Sequence, residues 1–333
     1  MSAAIAQSLP ATSVVPVPAP PAEETLLVIG EQPGPGMWKV SKGDHVMWII
    51  GTQTPVLEKM KWRAKGIKAV IAEAQEILSE PRISISTGQI GFFRALMLLP
   101  SAMEARKNPD NAMLKDIIPA ELYPRWLVLR DRYVEEFNTT DESKDIERWL
   151  PMFAAYELYG KAIKKSGMTL GSPVWPVITA VAKTHKVNIR NIVFEPTIRD
   201  PGAALKELRS TRLADLECFA KTIERIETDL SAMRQRANAW ASGDIDALRR
   251  LPASDQRAAC SAAIRDASFV KTLGVQNVTA QVENAWMIAA ESALANNKVT
   301  LAVLPVADLF AADGYLTKLR KRGYSIAEPD ATP

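Results

Sequence analysis

The chain has 333 residues, 47% apolar and 24% charged, and its 41 Lys and Arg against 38 Asp and Glu leave a net charge of +3. With a mean hydropathy of −0.06, these values exclude collagen-like, fully disordered and multi-span membrane chains. The charge balance is mild and no basic stripe with interleaved aromatics is read, which argues against nucleic acid as partner. Two His and two Cys cannot supply a zinc site of several His or of four Cys. No apolar run reaches the roughly 20 residues of a transmembrane helix. CxxC, GxSxG, HExxH and P-loop motifs are absent.

Residues 1–35 carry Pro10, Pro16, Pro18, Pro20 and Pro21 among Ala, Val, Ser and Thr. Proline removes amide donors and favours extended chain, so this stretch reads as a flexible tether. Ala4-Ile5-Ala6 puts small residues where a signal peptidase cuts, although the basic and long apolar parts of a signal are missing. Two readings follow. Met1 lies inside a longer signal peptide and the mature protein, starting near Gln7, is periplasmic or secreted; or the start is an ordinary Ala-rich terminus.

Residues 36–328 read as one domain. Met37–Val40, the turn Ser41–Asp44 and His45–Ile50 predict a β-hairpin. A short helix is expected near Glu58–Lys65, and Lys68–Ala72 reads as a buried strand ending at Glu73. Residues 88–165 look largely helical, punctuated by prolines 100, 109, 119, 124 and 151, with an apolar face over Glu142–Lys165. A helix is expected from Val174 to His185. Pro201–Ala241 carries apolar residues at helical spacing, from Leu205 through Phe219 and Ile226 to Ala237, with a break near Ser210-Thr211. That stripe is core, or else the face of a homo-oligomer. Further helices are expected over Asp244–Arg250, Ala253–Asp266 and Val278–Ala295. Strand Val299–Val306, helix Gly314–Arg322 and strand Tyr324–Ala327 close the chain. The fold class is therefore α/β with an α+β tendency: a sheet from N- and C-terminal strands around a large, mostly helical middle.

Cys218 and Cys260 are 42 residues apart on predicted helices. In an oxidising compartment they form a disulfide; the alternative is two buried thiols.

The two ends together resemble the TraB/GumN family, which includes the TIKI metalloproteases. Met37-Trp38-Lys39-Val40-Ser41-Lys42-Gly43 fits its opening, and Met47–Ile50 followed by Gly51-Thr52-Gln53-Thr54 fits a strand with a G-T-x-H motif. Val70–Glu73 fits a strand with an acidic end. Trp240-Ala241-Ser242-Gly243-Asp244 fits a W-x-x-G-D element, and Leu301–Leu309 sits where a strand and G-x-x-H-L belong. Gly314–Ile326 fits the ending.

The resemblance implies that the two G-x-x-H elements meet at one site, where two His and a carboxylate hold a water-activating divalent metal. Here the His positions are Thr54 and Asp308, the second motif's Gly is Pro305, and the Arg of an R-N element is Glu283, with Asn284 retained. A neutral hydroxyl is a weak ligand and a carboxylate a hard one, so Thr54, Asp308 and Glu73 cannot reproduce a zinc site. His45 beside the hairpin turn and His185 in a polar stretch read as surface residues, and Thr52 as a turn-stabilising hydroxyl or a group near the site. The implied function is a GumN-like binding or accessory protein without metallohydrolase activity and without a cofactor. It is periplasmic or secreted, with a polysaccharide or an envelope protein as partner. The alternative is a hydrolase that uses Glu73 and Asp308 as a carboxylate pair or as ligands of Mg²⁺, Mn²⁺ or Ca²⁺.

Overall fold

A computed structural model describes residues 31–84, 98, 100, 101, 104–134, 145–195, 200–210, 214–251, 256–267, 270 and 277–329. The expected signal remnant, the prolines of the tether, the segment 88–97 and Thr211 lie outside the described residues.

The strands are β1 (Met37–Lys42), β2 (His45–Thr52), β3 (Val56–Leu57), β4 (Glu76–Leu78), β5 (Arg82–Ile83), β6 (Met168–Thr169), β7 (Asn188–Arg190), β8 (Val193–Phe194), β9 (Val299–Pro305) and β10 (Ser325–Ala327). The helices are α1 (Lys65–Glu73), α2 (Leu122–Tyr133), α3 (Pro151–Lys165), α4 (Val174–His185), α5 (Pro201–Ser210), α6 (Leu216–Thr228), α7 (Leu230–Ser242), α8 (Ile245–Arg250), α9 (Gln256–Arg265), α10 (Val278–Asn296), α11 (Val306–Phe310) and α12 (Tyr315–Lys321).

The main sheet has the order β10-β1-β2-β9-β4-β7. The hairpin forms as its alternation predicts, Trp38 opposite Ile49 and Val40 opposite Met47. β10 adds antiparallel to β1, whereas β9 lies parallel between β2 and β4. Thr300 to Leu304 of β9 are all buried, as a parallel strand covered on both faces requires. Helices α1 and α10 both pack on it. The sheet is thus an α/β layer built from the two ends of the chain, with β7 added from the middle.

The helical middle has its own cores. One gathers Trp126, Leu158, Phe219, Ile223 and Met233. The other surrounds Cys218 and Cys260, which form a disulfide. The stripe of the 201–241 segment is core: Phe219, Ile223, Ile226, Met233 and Ala237 are all at most 2% exposed. It spans three helices, α5 to α7, rather than one with a single break.

Three expectations fail for physical reasons. Lys68–Ala72 is helix, because Ile67 and Ile71, four apart, are the residues that α1 buries; a short apolar run does not by itself separate strand from helix. The strand follows as β4. No helix forms over 58–64: β3 pairs with β6, a turn follows at 58–59, and an irregular stretch leads on to α1. Of the expected Glu142–Lys165 helix, residues 142–144 lie outside the described residues, and within 145–165 only Pro151 onwards is α-helix, since proline suits the first helical turn and not the interior.

Candidate functional site

The three parallel strands β2, β9 and β4 end at one edge of the sheet. Register places Gly51 opposite Leu304 and Thr52 opposite Pro305, so the two motif segments, 51–54 and 305–308, emerge side by side. The carboxyl edge of parallel strands is where open α/β sheets place their ligands.

Local sequence explains why this edge is held still. A Cβ on Gly51 would come within 2.6 Å of Val306 Cγ2 and 3.1 Å of the Trp38 ring, so only glycine lets α11 close over β2. Trp240, 1% exposed, donates its Nε1–H to the Gly51 carbonyl at 2.7 Å. The residues after it fix that ring: Gly243 ends α7 at φ +76°, and the Asp244 carboxylate caps α8 by accepting the Ala247 amide at 2.8 Å.

The carboxylate that reaches this edge is Glu80, not Glu73. Glu73 is exposed at the end of α1, and the next turn bonds to the start of β9, the Gln75 amide donating to Val299 O at 3.0 Å. The seven residues of β9 then carry the chain away to Asp308, about 20 Å of strand at ~3.3 Å per residue. The structure therefore does not bring Glu73 and Asp308 together. Glu80 follows β4 directly. Ser79, 2% exposed, holds that strand end: its hydroxyl accepts the Ile192 amide at 2.8 Å, and its own amide donates to Arg190 O at 3.0 Å. The Thr52 hydroxyl, 8% exposed, donates to Glu80 Oε1 across the end of β9. Thr52 thus binds a carboxylate instead of stabilising a turn.

Asp308 lies in the first turn of α11. Burial raises its carboxyl above the ordinary value; the Arg257 charge works against this and Glu283 adds to it. Burial, with Asp308 and Glu283, pushes the Tyr315 phenol well above its ordinary range, again opposed by Arg257. Tyr315 packs edge-on against Trp286, ring centroids 4.8 Å apart, and Glu283 is ion-paired with Lys318. The edge therefore holds a hydroxyl–carboxylate pair, Thr52–Glu80, and an acid and a phenol, Asp308 and Tyr315, within the field of Arg257 from the helical middle.

The remaining predicted residues fall as follows. Thr54 is exposed after the β2 end, Pro305 ends β9, and Asn284 is exposed on α10. His45 is half-buried beside Asp44 at the opposite end of β2, and His185 is exposed at the end of α4; neither reaches the edge. Sequence reasoning missed Glu80, Tyr315 and Arg257. The signal for Glu80 was present as Ile77-Leu78-Ser79-Glu80-Pro81, a short apolar run closed by proline, but the Val70–Ala72 run outweighed it.

The donor set does not fit the metal that the resemblance implies. By the resemblance the two imidazole positions are Thr54 and Asp308; burial favours the neutral form of Asp308, and one Glu80 oxygen is engaged by Thr52. Among the described residues no three His, Cys, Asp or Glu side chains group closely enough to hold a metal ion.

Searches of curated proteins and of solved structures gave no match. The sequence model of the TraB/PrgY/gumN family matches residues 36–328. That span covers both ends of the sheet and both motif segments at its carboxyl edge, and the chain belongs to the TraB/PrgY/gumN family.

Proposed function

We propose that this chain is a family member that works by binding, without the metal-dependent hydrolysis implied by the resemblance, in a periplasmic or extracellular setting. The observation that carries this reading is the donor set at the strand ends. In this reading the hydroxyl of Thr54 and the half-buried carboxyl of Asp308 take the two positions where neutral imidazoles would be needed, and Glu80, the carboxylate nearest them in the sheet, is tied to Thr52. Such oxygens do not hold a borderline metal as imidazoles do. The Cys218–Cys260 disulfide supports an oxidising compartment. Among the described residues no helix is long and apolar enough to cross a membrane. An envelope polysaccharide or protein is the partner in this reading.

A metal-retention assay tests it. The purified protein is incubated with Zn²⁺, Mn²⁺, Mg²⁺ and Ca²⁺, desalted and measured by plasma mass spectrometry, then assayed on peptide, ester and glycoside substrates. The expected result is no retained metal and no turnover. About one metal per chain, lost on Glu80→Gln or Asp308→Ala and kept on Glu73→Gln, would overturn the reading in favour of a hydrolase.

A further inference from the structure

The net charge of +3 hides a local concentration. Leaving β3, the chain reads Lys59-Met60-Lys61-Trp62-Arg63-Ala64-Lys65, and Lys68 follows in α1; between residues 56 and 72 the single acid is Glu58. This is a basic stripe with an interleaved aromatic, which the whole-chain charge balance concealed. Lys59, Lys61, Arg63, Lys65 and Lys68 are exposed, whereas Met60, Trp62 and Ala64 are partly buried against the main core. Around Trp62 exposed cations alternate with partly buried residues, while Lys59 lies in the turn that closes β3 and Lys65 and Lys68 lie in α1.

The strip is pinned. Gln32 donates its amide to Lys61 O at 3.0 Å and accepts the Arg63 amide at 2.8 Å. The Trp62 ring lies edge-on to Trp240, centroids 5.8 Å apart, and Trp240 in turn holds Gly51. The strip therefore flanks the candidate site, starting five residues after Thr54. Some exposed cations elsewhere are paired, as in Lys318 with Glu283 and Arg249 with Glu328. No ion pair or side-chain hydrogen bond joins the five strip cations to any described residue.

We propose that residues 59–68 form the binding strip for a linear acidic polysaccharide, a polymer carrying carboxylates at intervals along its length. This deepens the binding role proposed above by naming its partner class. A run of five exposed cations within ten residues fits a linear polyanion, and Arg63 offers a planar fork for a carboxylate. Three observations separate this partner from others. The one aromatic of the strip is turned inward, so no platform is left for stacking bases. The outward side carries no apolar side chain to enter a bilayer. The backbone of Lys61 and Arg63 is already bonded to Gln32, so recognition runs through side-chain charge rather than strand addition. The disulfide also fits the oxidising compartment in which the proposed binding role is set.

The test is calorimetric titration of the full chain with polygalacturonate. Neutral dextran, single-stranded DNA, poly-L-glutamate and phosphatidylglycerol vesicles are compared at equal charge concentration. We expect polygalacturonate to bind most tightly and dextran not at all. Raising salt from 50 to 200 mM should weaken binding at least about tenfold, as displacement of several counterions requires. Lys59→Gln/Lys61→Gln/Arg63→Gln should weaken it at least tenfold more, while Lys161→Gln/Lys164→Gln/Lys183→Gln, with the same charge change on other helices, should not. No binding, equal loss in both triple variants, or tighter binding to DNA, polyglutamate or vesicles would overturn the proposal. Its failure is distinct from that of the functional reading, which is decided by metal retention and turnover.

Discussion

Around the sheet, the buried polar side chains are the neutral hydroxyls of Thr52, Ser79 and Thr300, set among Trp38, Ile49, Trp240 and Trp286. In the helical middle, Glu147, Asp215 and Arg236 are buried with their charges, beside a disulfide. An apolar layer with satisfied hydroxyls has no buried charge of its own to lose with pH and holds a strand edge in one geometry; the titrating groups there, Asp308 and Tyr315, sit on the helices at its edge. A region with buried charges is stable only while each charge keeps its partner. The sheet layer is thus suited to fixing the site, and the helical middle is where single substitutions and pH act most strongly.

The largest expected effect is at Glu147, 1% exposed, which accepts from Trp126 Nε1 at 2.6 Å and Arg130 Nη1 at 2.7 Å. Glu147→Ala leaves the indole N–H without its acceptor and Arg130 without its buried carboxylate. Removing one partner of such a pair costs about 3–5 kcal/mol. Urea unfolding measures it; a loss below about 1 kcal/mol would mean that water replaces the carboxylate and that the two regions do not differ as described.

Next comes the disulfide, which closes a 42-residue separation between α6 and α9. Cys218→Ala/Cys260→Ala should lower stability by about 2–4 kcal/mol, chiefly by freeing the unfolded chain. An intact mass two hydrogens below that of the reduced chain checks the bond itself. Arg257, near the start of α9, acts on Asp308 through its charge, so this staple also steadies a cation that the helical middle brings near the site edge. An unchanged midpoint in the double variant would assign the hold on α9 to packing alone.

The same contrast governs what the sequence made legible. The hairpin, β9 and α10 follow from alternation or helical period, because the apolar faces of long elements repeat enough to fix their type. Trp38 and Trp240 were readable as core for that reason. At the site, Gly51, Pro305 and Asp308 were singled out by their motif order, and the register of β2 and β9 sets the two segments side by side. The carboxylate was misassigned because β4 has only three residues, too few to show a period, while the preceding helix offered a denser apolar run ending in an acid. Arg257 and Tyr315 were invisible for another reason. Their role comes from charge acting across space between α9, α11 and α12, and no local pattern encodes it.

The smallest effect separates two opposing forces at one buried acid. Asp215 is 2% exposed, and its Oδ2 accepts the Met152 amide at 2.8 Å, at the first turn of α3. A helix N-terminus favours the charged carboxylate, whereas burial disfavours it. Burial prevails and raises the carboxyl from 3.8 to about 6. Because the folded value lies above the unfolded one, the folded state holds the proton more tightly. The stabilisation from protonation is complete below about pH 4 and is lost as pH rises through about 6. Asp215→Asn keeps an acceptor for Met152 and removes the charge, so it should stabilise the protein at pH 7 by about 1–3 kcal/mol. That advantage should shrink steadily from pH 6 to pH 4. The difference between variant and parent isolates this residue, since Asp308 is raised in the same direction and shifts both curves alike. A parent more stable than Asp215→Asn at pH 7, with the gap closing on acidification, would show the helix terminus outweighing burial. The charge at Asp215 would then be a support of the helical middle rather than its cost.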